Sequence, residues 1–389
     1  MTIGDAPLEP LRIGLVAGES SGDTLGAALI TAIRARHPNA RFYGVAGPKM
    51  QALGCEVWAS ADELAVMGLT EVLHHLPRLL RLRRDLVQRF QAERPHAFVG
   101  IDAPEFNLGL EARLKASGIR TVQYVSPQVW AWRQGRVRTI GRACDLVLCL
   151  LPFETDFYAR WGVRAVFVGH PLADQIPLDV DRAGARQALN IDPSALLVAL
   201  LPGSRMGEVT KLGSDFIAAA QWLRTKRPDA QFIAPMASAK VRAAFERFMI
   251  EKGETGIQLV DGQAQRVLAA ANVVLTASGT ATLETMLSKR PMVVAYRLGA
   301  ITAFMLKQLG LVKVPYFSQP NLLVGRRFVP EFFQEQVTGE ALGAALLHEI
   351  DDPARLEELE KEFRRAHESL RRGGAERAAE AILECVAAR

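Results

Sequence analysis

The chain has 389 residues, 49% hydrophobic and 23% charged, with a formal net charge of +5. That length exceeds one typical domain and suits two of comparable size, each burying its own core. The 20 prolines and 31 glycines show no low-complexity bias, no run approaches the length of a membrane-spanning helix, and residues 1–10 lack the basic and apolar regions of a secretory signal. A cytoplasmic protein is expected, with disorder confined to its first ten or so residues.

Short apolar runs alternate with helical periodicity from end to end, the pattern of parallel sheets built from βαβ units. Strands are expected at 12–16, 42–45, 97–101, 121–125, 146–150 and 165–168. Between the second and third lies an apolar cluster, Val66, Met67, Leu69, Val72, Leu73 and Leu76, running into six arginines between 77 and 94, with Arg78 and Arg81 beside Leu79, Leu80 and Leu82. An apolar patch beside clustered Arg suits docking on an anionic bilayer; a core-packed helix with a solvated Arg face is the alternative. Nucleic acid is not expected, since no recognised binding module is present.

Gly169, His170 and Pro171 open a polar stretch in which His170 reads as structural, and a second series of strands follows at 196–201, 231–234, 257–260, 273–276 and 292–295. The predicted fold is α/β: two Rossmann-like lobes, 1–170 and 171–350, facing a cleft. Helices at 351–389 pack back on the first lobe or onto a second subunit. Ligands in such sheets bind beyond the carboxyl ends of the strands, which directs attention to the turns there.

The turn 17–23 holds Gly18, Glu19, Ser20 and Asp23 but lacks both the P-loop lysine and the dinucleotide spacing. Ser20 or Asp23 could cap the following helix. In the turn 100–107, Pro104 delays the helix and leaves Asp102 to project instead of capping. A carboxylate there could serve as general base toward a hydroxyl; with an ordinary pKa near 4, it would take the proton late. The turn 124–133 carries Trp130, Trp132 and Arg133, candidates for holding a sugar ring and a phosphate, unless one Trp is core.

In the second half, the turn 201–205 places Ser204 and Arg205 at a strand end, with Glu208 beyond. Arg205 suits a diphosphate because its planar fork holds two oxygens and keeps its charge. The turn 277–284 reads as strand, Gly-containing turn and helix start, with Ser278, Gly279 and Thr280 at an anion-binding helix end. With Thr280 as N-cap, Glu284 lies one turn inside, where it could accept both ribose hydroxyls. The four cysteines and seven histidines show no metal-ligand spacing. Neither disulfide, metal nor other cofactor is expected, and a nucleotide diphosphate would be held without one.

The runs 16–23 (VAGESSGD), 100–104 (GIDAP), 124–133 (YVSPQVWAWR), 201–205 (LPGSR), 277–284 (ASGTATLE) and 320–323 (PNLL) together resemble the lipid-A-disaccharide synthase family. They span nearly the whole chain in the expected order, with departures from the family pattern at Gln128 and Pro171. The resemblance implies an inverting glycosyltransferase of the two-lobed GT-B type from a Gram-negative bacterium. It would transfer 2,3-diacylglucosamine from its UDP-linked donor to 2,3-diacylglucosamine 1-phosphate, forming the β-1,6-linked lipid A disaccharide. By resemblance Asn321 joins the UDP-binding residues and Asp102 activates the acceptor. It also implies acylated sugar substrates, peripheral attachment to the cytoplasmic face of the inner membrane, and a possible homodimer exchanging C-terminal helices. The rivals are a non-hydrolysing UDP-sugar 2-epimerase, which would need further acidic or His groups around the sugar, and a non-catalytic lipid- or nucleotide-binding module.

Overall fold

The computed structural model describes residues 9–64, 69–131, 134–299 and 316–388, and of residues 69–75 only the helical backbone. The disorder expected at the start of the chain therefore falls, up to residue 8, outside the described residues. The chain forms two compact units, one built from the residues up to Asp174 together with those from Leu370 on, the other from Gln175–Ser369.

The first unit is a seven-stranded sheet in the order β3-β2-β1-β4-β5-β6-β7, with β1 Arg12–Ala17, β2 Arg41–Ala46, β3 Glu56–Ser60, β4 Ala97–Ile101, β5 Arg120–Tyr124, β6 Leu146–Cys149 and β7 Ala165–Phe167. All its pairings are parallel. Strands such as β4, buried at every position, read as unbroken apolar runs because helices cover both faces. Among those helices are α1 Ser20–Arg36, α2 Pro48–Ala52, α3 Leu69–Glu93 and α4 Pro104–Ala116. The chain order reverses between β1 and β4, whose ends are paired Ala17 to Ile101.

The second unit repeats this logic in six parallel strands, β10-β9-β8-β11-β12-β13, with β8 Leu196–Leu201, β9 Ala230–Met236, β10 Ile257–Asp261, β11 Val273–Ala277, β12 Met292–Tyr296 and β13 Glu331–Phe333. Here the reversal lies between β8 and β11, with Leu201 opposite Thr276. In each unit, then, the carboxyl edge at the switch point is where a ligand has room to enter.

Eleven strands lie where periodicity puts them, give or take a residue or two; β3 and β13 were not expected. Both are edge strands and only partly buried, so neither carries a continuous apolar run. The segment 351–389 divides between the units. Helix Pro353–Leu370 belongs to the second unit as far as Ser369, and helix Gly374–Ala387 buries Ala378, Ala381, Ile382 and Cys385 in the core of the first unit of its own chain. Their spacing is that of one helix face. The Asp174 carboxylate caps this last helix, accepting from the N–H groups of Gly373 at 3.0 Å and Gly374 at 2.7 Å. His170 is structural as expected: its N–H reaches the Leu370 carbonyl, its Nδ1 accepts from Leu172, and burial pushes its imidazole down to about 4, leaving it neutral.

Candidate functional site

In the second unit the turns after β8 and β11 open side by side onto a recess of about 280 Å³ lined by Ser204, Arg205, Gly279, Thr280 and Glu284, with Met236 and Gly262 from the ends of β9 and β10. The β8 turn needs its glycine: Gly203 sits at φ +127, and a Cβ there would lie 2.3 Å from that of Glu208. Glu208, one turn into helix Met206–Lys226, accepts from the N–H groups of Ser204 at 2.9 Å and Arg205 at 3.3 Å. Those two donors are spent on the turn itself. Arg205, by contrast, is exposed, and its guanidinium has no carboxylate or carbonyl partner among the described residues.

The β11 turn ends in Gly279 at φ +148, which is the N-cap of helix Thr280–Leu287; Thr280 is the first helical residue, not the cap. Nothing lies within 4 Å of where a Gly279 Cβ would stand, so glycine is required by backbone conformation and leaves the approach open. The N–H of Thr282 donates to the Gly279 carbonyl at 3.1 Å, which leaves those of Thr280 and Ala281 as the first-turn donors with no helical carbonyl to bond. Ser278 is more committed than expected: its N–H donates to the Ala295 carbonyl and its hydroxyl to that of Phe317 at 3.2 Å. Glu284 reaches the recess half-buried, without a protein partner among the described residues, and burial raises its carboxyl above the ordinary range. A free guanidinium, free helix-end N–H groups and a free carboxyl can take, respectively, phosphate oxygens and a diol.

In the first unit Asp102 follows β4 in a left-handed conformation, φ +56, and so does Ala103, φ +41; across from them Val125 has φ +76. Such conformations cost on the order of 1 kcal/mol or more for residues with a Cβ, most for a β-branched one. Hydrogen bonds hold them. The Asp102 N–H donates to the Tyr124 carbonyl at 2.8 Å, while the Asp102 carbonyl accepts from Asn107 Nδ2 at 2.9 Å and Gln123 Nε2 at 3.2 Å. Gln123 also reaches the Val125 carbonyl at 3.2 Å. With Pro104 at its first position, α4 starts after Asp102, whose carboxyl is left free of capping. Burial raises that carboxyl, partly offset by the Ala103 N–H, so it is a better base than an ordinary Asp. Gly18 belongs to the same place, since a Cβ on it would lie 2.3 Å from Ala103 Cβ. Glu19 and Ser20 follow at the start of α1, and Glu19 is its N-cap residue without a side-chain bond. Asp23 caps a different helix, accepting from the N–H groups of Gly47, Lys49 and Met50 at the start of α2.

Other expectations are corrected. Asn321 is fully buried, and its whole amide is used: Nδ2 donates to Val329 and Glu331, and Oδ1 accepts from Phe328 and Val329. It is therefore unavailable to a nucleotide through its side chain. Glu331 binds the N–H groups of Phe317 and Ser318 as well, so this pair braces the loop that receives the Ser278 hydroxyl. Sequence reasoning missed Glu331. Trp130 is 8% exposed, packs edge-on against Phe153 and gives its N–H to Glu154 at 3.0 Å, which makes it core. Trp132 and Arg133 lie outside the described residues, as do Val66 and Met67 and the side chains of Leu69, Val72 and Leu73. Further along α3, Leu86 and Phe90 are core, whereas Leu76 and Leu80 are 42% and 45% exposed, Arg81 is exposed, and Arg78 pairs with Glu63 at 2.7 Å. No helix among the described residues is long and apolar enough to cross a membrane, and none of their His, Cys, Asp and Glu groups could hold a metal.

Residues 13–386 match the model of the family described as lipid-A-disaccharide synthetase. The chain belongs to that family. It is 54% identical over 376 residues to the lipid-A-disaccharide synthase of Alkalilimnicola ehrlichii, covering 96% of this chain and 98% of that one, and 51% identical over the same shares to that of Serratia proteamaculans. Among solved structures it is similar to the glycotransferase of kitacinnamycin, with a TM-score of 0.61, 19% identity and coverage of 97% and 100%. The UDP-GlcNAc 2-epimerase of Neisseria meningitidis, solved with UDP-GlcNAc, gives a TM-score of 0.64 at 11% identity, covering 97% and 100%. At such identities these two speak to fold alone. The family member described here is thus a glycosyltransferase with the GT-B fold.

Proposed function

We propose that this chain transfers 2,3-diacylglucosamine from UDP-2,3-diacylglucosamine to 2,3-diacylglucosamine 1-phosphate by an inverting displacement. The observation that carries the reading is the second unit's recess, where Arg205 and Glu284 stand without protein partners among the described residues beside an open helix start. Arg205 and the first-turn N–H groups of Thr280 and Ala281 take the diphosphate oxygens, and Glu284 accepts the ribose hydroxyls. Ser204, Ser278 and Gly279 shape the turns. As the anomeric carbon's bond to the phosphate oxygen breaks and its bond to the acceptor's 6-oxygen forms, Asp102 takes the hydroxyl proton and the electron pair leaves on UDP. Charge developing on that leaving group is met by groups already oriented for it. No cofactor is assigned a part.

Both substrates carry acyl chains, and we assign the meeting with the membrane to α3, where exposed Leu76 and Leu80 lie a helical turn apart beside Arg78 and Arg81. An anionic cytoplasmic leaflet would attract those arginines. The deciding assay supplies purified protein with the acylated UDP-sugar and the acylated sugar phosphate. Disaccharide and UDP are expected in equal amounts; a changed sugar with UDP still attached would make the chain an epimerase.

A further inference from the structure

Three buried oxygens around the Asp102 turn accept no hydrogen bond from the described residues: Asn107 Oδ1, Glu111 Oε1 and Gln123 Oε1. Their residues are all fully buried. Asn107 and Glu111 are four apart on α4, hence on one face, and both press on Gly100 of β4. A Cβ on that glycine would lie 2.4 Å from Glu111 Oε1 and 3.0 Å from Asn107 Cγ. The two side chains therefore meet over one glycine, each with an oxygen that accepts nothing from the described residues. The far end of the Asn107 amide is spoken for, with Nδ2 donating to the Asp102 carbonyl at 2.9 Å and the Val16 carbonyl at 3.4 Å. The other Glu111 oxygen, Oε2, accepts the Cys144 thiol at 3.0 Å.

Among the described residues no cation compensates a charge at Glu111. Lys115, on the same helix, is turned to Asp145 and to the carbonyls of Gly141 and Cys144; Arg83 of α3 lies against Gly109; the Cys144 thiol, raised well above its ordinary value by burial, stays neutral. One proton on the carboxyl would satisfy both crowded oxygens at once.

We propose that Glu111 is a positioning residue: its carboxylic acid donates to Asn107 Oδ1 and so orients the amide that holds the Asp102 carbonyl in its left-handed turn. This rests on reading Asp102 as the base. Burial supports it, pushing the Glu111 carboxyl up to about 8. Once ionised, Glu111 would repel Oδ1 and favour the flipped amide, which would turn an oxygen toward the Asp102 carbonyl. Turnover should therefore fall as pH rises through that value.

Glu111→Gln keeps a donor for Asn107 and an acceptor for the thiol but cannot ionise, whereas Glu111→Leu supplies neither. Expected are a kcat for Glu111→Gln within about threefold of wild type with the alkaline fall abolished, and a loss of about tenfold or more for Glu111→Leu with UDP affinity unchanged. If Glu111→Gln is as impaired as Glu111→Leu, or keeps the alkaline fall, the proposal is overturned. Should Glu111→Leu not fold, infrared difference spectra of wild type and Glu111→Gln at pH 7 decide: the carbonyl band of a protonated carboxylic acid is expected in the wild type only, and its absence there overturns the proposal. Full turnover in Asp102→Asn would instead sink the reading of Asp102 while leaving the infrared result intact.

Discussion

The turns after β8 and β11 place glycine at φ +127 and +148, while those after β4 and β5 place Asp102, Ala103 and Val125 at +56, +41 and +76. Both pairs lie on the carboxyl edge of a parallel sheet; β8 and β11 flank the second unit's switch point, whereas in the first unit β4 borders the switch point and β5 is the next strand out. The second unit solves its turns with residues that have no Cβ to clash, and so leaves the recess lined by groups with little to do for the fold. The first unit holds side-chain-bearing residues in an unfavourable conformation with a buried amide on each side, Asn107 and Gln123. One edge is permissive and open; the other is over-determined. Binding tolerates the former, because a ligand supplies the missing partners. A base, the role proposed for Asp102, must be aimed before the substrate arrives, and strain held by buried hydrogen bonds would do that.

On this contrast, single changes separate turnover from affinity. The largest effect belongs to Asp102→Asn, expected to lower kcat by about 100-fold or more, roughly 3 kcal/mol of transition-state stabilisation, while calorimetry finds UDP binding unchanged. Retention of more than about a tenth of the rate would remove it as the base. Next is Arg205→Ala, expected to weaken UDP by about tenfold to a hundredfold, since it deletes charge-assisted bonds; an unchanged affinity would move the diphosphate elsewhere. Glu284→Gln should cost only several-fold in UDP affinity, and it should erase any preference of the wild type for UDP over its 2′-deoxy analogue. A preference that survives the substitution would free Glu284 of the ribose. Smallest in solution is Leu76→Ser with Leu80→Ser: both side chains are already exposed, so thermal stability should hold while flotation with anionic vesicles falls. A drop in melting temperature without a change in flotation would return α3 to a purely structural role.

The strands were legible because buried parallel strands are continuous apolar runs, and β4 and β8 could be bounded to the residue on that signal alone. The turns that follow them were legible for a related reason, since polar residues directly after such a run have little to do in a core. What misled was pairing at a distance. Asn321 has the look of a loop donor, but its partners are the backbone of Phe328 and Val329 and the carboxylate of Glu331. Trp130 looks like an aromatic platform until Glu154 is found against its nitrogen. Glu111 and Gln123 were passed over as ordinary helix and strand residues. The available hint was a carboxylate four residues after Asn107 on a helix otherwise apolar along that face.

Chain order, two parallel sheets, the switch-point turns and the residue types placed at their tips all follow from local pattern, because backbone sterics and burial act over a few neighbouring residues. Which of those polar groups remain free for a ligand was decided by folding. Hydrogen-bond partners come from strands and loops far apart in the chain, and only tertiary packing determines whether a given amide, indole or carboxyl is spent on the protein or left over for chemistry.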